Sequence, residues 1–303
     1  MDNMQNWLVS LDLTNMDALL LGYTSFLAKK IKPESITFLH ILEAPDITDE
    51  LKEMFPELEA QTDVGELIRK ELQEKIDSEF KDSVKTNLVL GKGDPTRSII
   101  SELKKLNPDL LVLGKKERFK GEGILSKKIT RYVPCPVLFV PESVRYHLKE
   151  ILVPFNFNDH SAAGIRFAKL FAEATDSRLN LQHVYDYPAQ FFPFLPSNEF
   201  EQKMKKQLND EFAGFIKKQN ISVREEPVFT LNKQDKQPDK IYDHAIRIKC
   251  DLIIAGTRSK TNLASFLEED LSDKLVNYNF GIPLMIYKDK KKNRGLLESL
   301  FKK

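Results

Sequence analysis

The sequence predicts two α/β domains in tandem, each a doubly wound five-stranded parallel sheet, and two observations carry that prediction. The first is a duplication. WLVSLD (7–12), FLHIL (38–42), PDLLVLG (108–114) and PVLFVP (136–141) are answered in the same order by ILVPFN (151–156), LQHVY (181–185), CDLIIAG (250–256) and PLMIY (283–287). The offset is 144 from Asp12 to Asn156, 143 from His40 to His183, 142 from Gly114 to Gly256 and 147 from Pro136 to Pro283. A period of that length is a whole fold rather than a solenoid unit. The second observation is that short β-rich runs alternate with longer helical patterns in each half, as in a parallel sheet covered by helices on both faces. The 303 residues accommodate two domains of ordinary size, each able to bury its own core.

In the first half the strand candidates are 8–11, 36–42, 85–89, 110–113 and 137–140. Val64, Ile68, Leu72, Ile76 and Phe80 recur every four residues, and Ile99, Ile100, Leu103 and Leu106 form a second stripe behind Pro95, a residue suited to a helix entrance. In the second half Phe200, Met204, Leu208, Phe212, Phe215 and Ile216 mark a long amphipathic helix, and Pro238 opens another bearing Ile241, Ala245 and Ile248. Five strands and four helices per half follow. The expected bounds are 1–143 and 144–288, with a basic tail over 289–303. The segment 142–149 (ESVRYHLK) is too short and too charged to be a domain, so the halves are expected to pair within the chain, their fifth strands at the contact.

Composition narrows the function classes. Hydrophobic residues at 41% and charged residues at 30% are ordinary for a globular protein. No apolar run approaches the ~20 residues of a spanning helix, and the N-terminus lacks the basic-then-apolar pattern of an export signal, so a cytosolic protein is expected. Cys135 and Cys250 sit at different landmarks and suggest two buried thiols rather than a disulfide or zinc site. The net charge of +1 hides an asymmetry: residues 288–303 carry seven cations against two carboxylates, a net +5, leaving −4 for the rest. Such a body, without an aromatic and basic signature, argues against nucleic acid as a partner.

In a doubly wound sheet of order 3-2-1-4-5 the ligand crevice opens at the carboxyl ends of the first and fourth strands, where the winding reverses. Asp12 or Asn156 then faces the loop that starts at Gly114 or Gly256. The first strand ends in a short polar stretch, the second ends with His40-Ile41 or His183-Val184, and Gly93-Asp94-Pro95 precedes a helix in the first half. The fourth strand closes on glycine, and the fifth is led by proline. Together these features resemble the tandem universal stress proteins over nearly the whole chain. The resemblance implies the adenine-nucleotide alpha-hydrolase-like fold and a stress-response or regulatory binding role without catalysis. Some members bind ATP through a loop of pattern Gly-x2-Gly-x9-Gly-(Ser/Thr) after the fourth strand, where backbone amides hold the phosphates.

Both copies depart from that loop. In the first, Glu117 stands at the second glycine and Gly123-Ile124 at the Gly-Ser; in the second, Ser259 and Glu269-Asp270 take those places. Two carboxylates at an anion site repel a triphosphate, and Asn156 replaces the carboxylate that the family directs to base and ribose. ATP or AMP is therefore expected in the first half alone if anywhere, with Asp12, Ile41, Gly114, Lys115, Lys116, Gly121 and Gly123 as candidate binding residues. Lys115, Lys116, Arg118 and Lys120 offer side-chain cations in place of missing amides.

Other features read more plainly as structure. His40 and His183, both at strand ends, suit a structural hydrogen bond better than catalysis. Asp159-His160-Ser161 has the composition of a triad but lies consecutively at a helix start, where capping is the better reading. The loop 185–196 (YDYPAQFFPFLP) is a lid, a subunit contact, or an apolar loop packed on its own domain. Neither a Ser-Gly-Gly phosphate loop nor a His-x-Gly-His signature occurs, so no catalytic residue is assigned, and weak ATP hydrolysis stands as the rival. In the tail, Leu296, Leu297, Leu300 and Phe301 fall on one side of a short helix flanked by lysines. It is either a solvated end or a helix resting on its own domain, or it is recruited by charge to an acidic protein partner or an anionic surface.

Overall fold

A computed structural model describes residues 4–42, 64–116, 133–186, 198–232, 236–257, 271–278 and 281–290. Contacts divide the chain into two units, one of residues 2–133 with 139–146, the other of residue 1, 134–138 and 147–303.

The first sheet is built from β1 (Asn6–Leu11), β2 (Ser35–Leu42), β3 (Lys85–Lys92), β4 (Leu110–Lys115) and β5 (Val137–Pro141), with α1 (Met16–Ile31), α2 (Val64–Glu79) and α3 (Pro95–Leu106) between them. Its order is β3-β2-β1-β4-β5. Leu11 pairs in parallel with His40, and Ser10 with Leu113, which brings the ends of β1, β2 and β4 level. The central strands are largely apolar because both of their faces are covered: of β2, only the terminal Ser35 and Leu42 fall short of burial.

The helix signals translate directly. Leu72, Ile76 and Phe80 of the four-residue stripe are buried. Gly93, Asp94 and Pro95 form a helix start in which each residue has its own task. Gly93 turns the chain at φ 104, which a side chain resists; Asp94 accepts a hydrogen bond from Arg97 N at 2.9 Å; Pro95 occupies the first turn, where no amide is needed. Ile99, Ile100 and Leu103 are buried, contributing ~1.5–3 kcal/mol each, while Leu106 at the end of α3 is exposed. Where a fourth helix is expected in this half, residues 117–132 lie outside the described residues.

The second sheet repeats the plan with β6 (Glu150–Pro154), β7 (Arg178–Asp186), β8 (Val228–Asn232), β9 (Leu252–Gly256) and β10 (Leu284–Tyr287), in the order β10-β9-β6-β7-β8. Its helices are α4 (Asp159–Thr175), α5 (Asn198–Lys218), α6 (Gln237–Arg247) and α7 (Leu271–Asn277). The Asp159-His160-Ser161 segment is the first turn of α4, capped by Asn158, whose side chain accepts from Ser161 N at 2.9 Å. Among the described residues no helix is long and apolar enough to cross a membrane.

The repeated PDLLVLG and CDLIIAG strands begin with an aspartate that clamps the neighbouring strand. Asp109 accepts from the amides of Gln5 and Asn6 at 3.1 and 3.0 Å; Asp251 accepts from those of Lys149 and Glu150 at 2.8 and 3.0 Å. Each carboxylate thus serves two backbone donors at the start of the first strand.

Candidate ligand crevice

At the carboxyl end of β1 the chain turns through Asp12, Leu13 and Thr14 into α1. Leu13 is left-handed, at φ 61. The turn is held from below by Asp17, whose side chain is fully buried and accepts from the amides of Asp12 and Leu13, each at 2.9 Å. Burial raises the Asp17 pKa, as does the Asp12 charge, against the two amides and Lys75 at 3.7 Å. Above it, Asp12 Oδ1 accepts from Thr14 N at 3.1 Å and from Thr14 Oγ1 at 2.5 Å, and Asp12 Oδ2 meets Lys116 Nζ at 2.7 Å. Burial pushes the Asp12 carboxyl up, but Lys116 and Thr14 together hold it below the ordinary value.

Lys116 follows β4, whose Gly114 lies against α1. A Cβ on Gly114 would stand 2.7 Å from Met16 Cγ, so glycine lets the helix start settle over the strand end. Lys115 is the last residue of β4 and points to the opposite face from Gly114. Burial brings it down to about 8. Ile41 is buried and covers Gly91, its register partner on β3; a Cβ there would come within 2.6 Å of Ile41 Cδ1. The structure therefore brings Asp12, Gly114 and Lys116 together, with Lys115 behind the strand and Ile41 one strand further out. Gly121 and Gly123 lie outside the described residues.

The corresponding place in the second unit is built differently. Asn156 stands for Asp12, and its amide donates to Ser161 Oγ at 2.9 Å, so a serine hydroxyl does alone what Asp17 does with two oxygens. The chain around Asn156 is aromatic. The Phe157 ring centroid lies 4.6 Å from that of His183, and Phe155 packs at 5.4 and 6.4 Å from Phe212 and Phe215. The glycine closing β9 is also committed. A Cβ on Gly256 would fall on the carbonyl oxygen of His160, and one on Gly164 would stand 2.9 Å from Gly256 N. Here α4 crosses β9 backbone against backbone. In the first unit Leu20, 144 residues earlier than Gly164, stands in that place.

The two histidines have matching structural roles. His40 Nδ1 lies 3.0 Å from Leu11 O, and His183 Nδ1 lies 2.9 Å from Phe155 O, each tying the end of the first strand to the second. Burial lowers the His183 pKa against the raising influence of Phe155 O and of Glu211 and Asp186, which favours the neutral ring donating that bond.

Sequence reasoning missed Thr14, Asp17 and Lys75. The signal for Asp17 was present in the repeat: a small polar acceptor lies five residues after both Asp12 and Asn156.

The model of the universal stress protein family matches the chain twice, over residues 4–141 and 147–288. The chain belongs to the universal stress protein family. The family accounts for both copies of the fold, each an adenine-nucleotide alpha-hydrolase-like sheet in the order 3-2-1-4-5. Among solved structures, a protein from Pseudomonas aeruginosa UCBPP-PA14 described as of the universal stress type superposes with a TM-score of 0.67 at 15% identity, covering 98% of this chain and 97% of that one. A functionally unknown protein from Pseudomonas aeruginosa PAO1 gives 0.65 at 15% identity, covering 99% and 98%. A universal stress protein from Archaeoglobus fulgidus gives 0.63 at 18% identity, covering 94% and 97%. At these identities the likeness is one of fold. No curated protein matches the chain.

Proposed function

We propose that this tandem universal stress protein is a non-enzymatic regulatory binding protein of the cytosol whose second unit has lost its nucleotide site and whose first retains one for AMP or ATP. The observation that supports the asymmetry is the pair of crevices. The first presents a half-exposed carboxylate with a cation beside it, Asp12 with Lys116 at 2.7 Å. The second presents Asn156 among Phe155, Phe157 and His183, with helix backbone lying on Gly256. Among the described residues at the ends of β1 and β6, a sugar hydroxyl finds a charged acceptor at Asp12 where the second unit has Asn156.

Two measurements test the reading. Calorimetric titration of the full chain with AMP and with ATP is expected to give one site per chain, weakened at least tenfold by Asp12→Ala and unchanged by Asn156→Ala. Two equivalent sites would refute the asymmetry. Phosphate release from ATP is expected to stay at the buffer rate. Sustained turnover that disappears with Asp12→Ala would make the protein a hydrolase.

A further inference from the structure

Helix α6 carries a base where its counterpart in the first unit carries an acid. The left-handed residues that end the two helices, Asn107 and Lys249, are 142 residues apart, and the same offset sets His244 against Glu102 and Arg247 against Lys105. In α3 the two form an ion pair, Glu102 with Lys105 at 2.6 Å. In α6 both are bases, and Lys240 adds a third one turn earlier. His244 nonetheless lies in the core-facing stripe: Ile241 and Ala245 are fully buried, and the imidazole is only 6% exposed. Among the described residues neither of its ring nitrogens has a hydrogen-bond partner. Burying a neutral ring in this way is costly, and burying a charged one far more so.

The surroundings oppose that charge. α6 packs on β7 and β8. From β7 it meets Gln182, whose Nε2 donates to Lys240 O at 3.1 Å and to Thr230 Oγ1 of β8 at 3.0 Å. Arg178 and Asp186, the charged residues on that face of β7, stand at its exposed ends, and β8 is uncharged. Glu150 of β6 is engaged by Asn180 at 2.8 Å. The carboxylates of α6 itself, Asp239 and Asp243, act on Tyr278. Burial lowers the His244 pKa from its ordinary 6.5, and the Arg247 charge lowers it further. We infer that His244 is an acid-sensitive latch of the second unit: the neutral ring seats α6 on β7 and β8, and its protonation loosens that helix from the sheet. The latch holds whether or not the first unit binds a nucleotide.

Because the folded value lies below 6.5, the undocked segment takes up the proton more readily than the docked one. The contribution of the ring to docking is therefore complete above about pH 6.5 and falls as the pH drops through that value toward the folded one. His183, whose pKa burial also lowers, lies on the opposite face of β7, so a readout local to α6 separates the two.

Hydrogen exchange of the full chain, read by mass spectrometry at about pH 7.5 and about pH 5.5 and corrected for the intrinsic rate at each pH, tests the latch. Amides of α6 are expected to lose about threefold or more in protection at the lower pH, and those of α3, which has Glu102 in place of the imidazole, less than that. His244→Leu places an apolar side chain in the same stripe. It is expected to melt no lower than the unaltered chain at about pH 7.5 and to keep its α6 protection at about pH 5.5. Arg247→Gln, which retains the ring, is expected to shrink the loss. The His244 ring proton, assigned by its absence from the NMR spectrum of His244→Leu, is expected to titrate below 6.5. Where His244→Leu does not fold, His244→Gln takes its place in both measurements. A loss of α6 protection as large in the variant as in the unaltered chain overturns the inference, as does a His244 ring that titrates at or above 6.5.

Discussion

Asp109 and Asp251 show what single side chains do for this fold. Each is a carboxylate receiving two backbone amides at the start of a neighbouring strand, and Asp251 also lies 2.9 Å from His147 Nδ1. Removing either by Asp→Ala leaves two amides unpaired, so a loss of about 2–3 kcal/mol is expected by chemical denaturation. Burial pushes the Asp251 carboxyl up, but His147 and the amides of Lys149 and Glu150 hold it below the ordinary 3.8. A depressed folded value contributes stability that is complete above the unfolded value and is lost as pH falls through the folded one. Asp251→Asn is therefore expected to cost stability at pH 7 and to flatten the loss below about pH 4. An equally steep acid limb in Asp251→Asn would show that this carboxylate does not govern it. The duplicated PDLLVLG and CDLIIAG strings made these aspartates visible in the sequence. Their partners were not visible, because the amides they clamp lie 101 to 104 residues away. Asp17 was hidden for another reason: a polar residue in a first helical turn reads as a solvated position, yet it is buried beneath the Asp12 turn.

At the scale of elements, strands and helices were legible because β-rich runs and four-residue stripes survive in any context. The approach of a helix to a strand was not, since it depends on which glycines face one another. The repeat has Gly114 and Gly256 at equivalent places, and only the structure separates their roles. Gly114 makes room for the flexible Met16 side chain, whereas Gly256 and Gly164 let α4 lie on the β9 backbone. Added methyl groups should therefore cost different amounts. Gly164→Ala and Gly256→Ala push helix from strand and are expected to lose about 1–3 kcal/mol, and Gly114→Ala less than either, since Met16 can change rotamer. Thermal melts of the three variants decide it. A Gly114 variant as damaged as the Gly256 variant would mean that Met16 is as fixed as backbone. The same contact explains why the second crevice differs from the first: the helix start that would border a ligand is already against the strand.

At the scale of the whole molecule, the two family matches cover residues 4–141 and 147–288, leaving the basic end of the chain outside both. Residues 288–303, with a net +5 set against −4 for the remainder, lie beyond the described residues from 291 onward. Two roles follow from the sequence alone, and they differ in what deletion does. If Leu296, Leu297, Leu300 and Phe301 complete a helix that packs on the preceding domain, removing 290–303 exposes apolar surface and lowers the melting temperature by many degrees. If the segment recruits an acidic protein, so short a helix contributes little stability by itself, and deletion leaves the melting temperature nearly unchanged. The recruitment role acts through charge, an attraction screened over about 8 Å at physiological salt, and its test is direct. The expected outcome is a truncated protein that melts as the full chain does but no longer retains an acidic partner captured by the full chain at low salt, with that capture fading as salt rises. A large drop in melting temperature on truncation would assign the tail to the core instead.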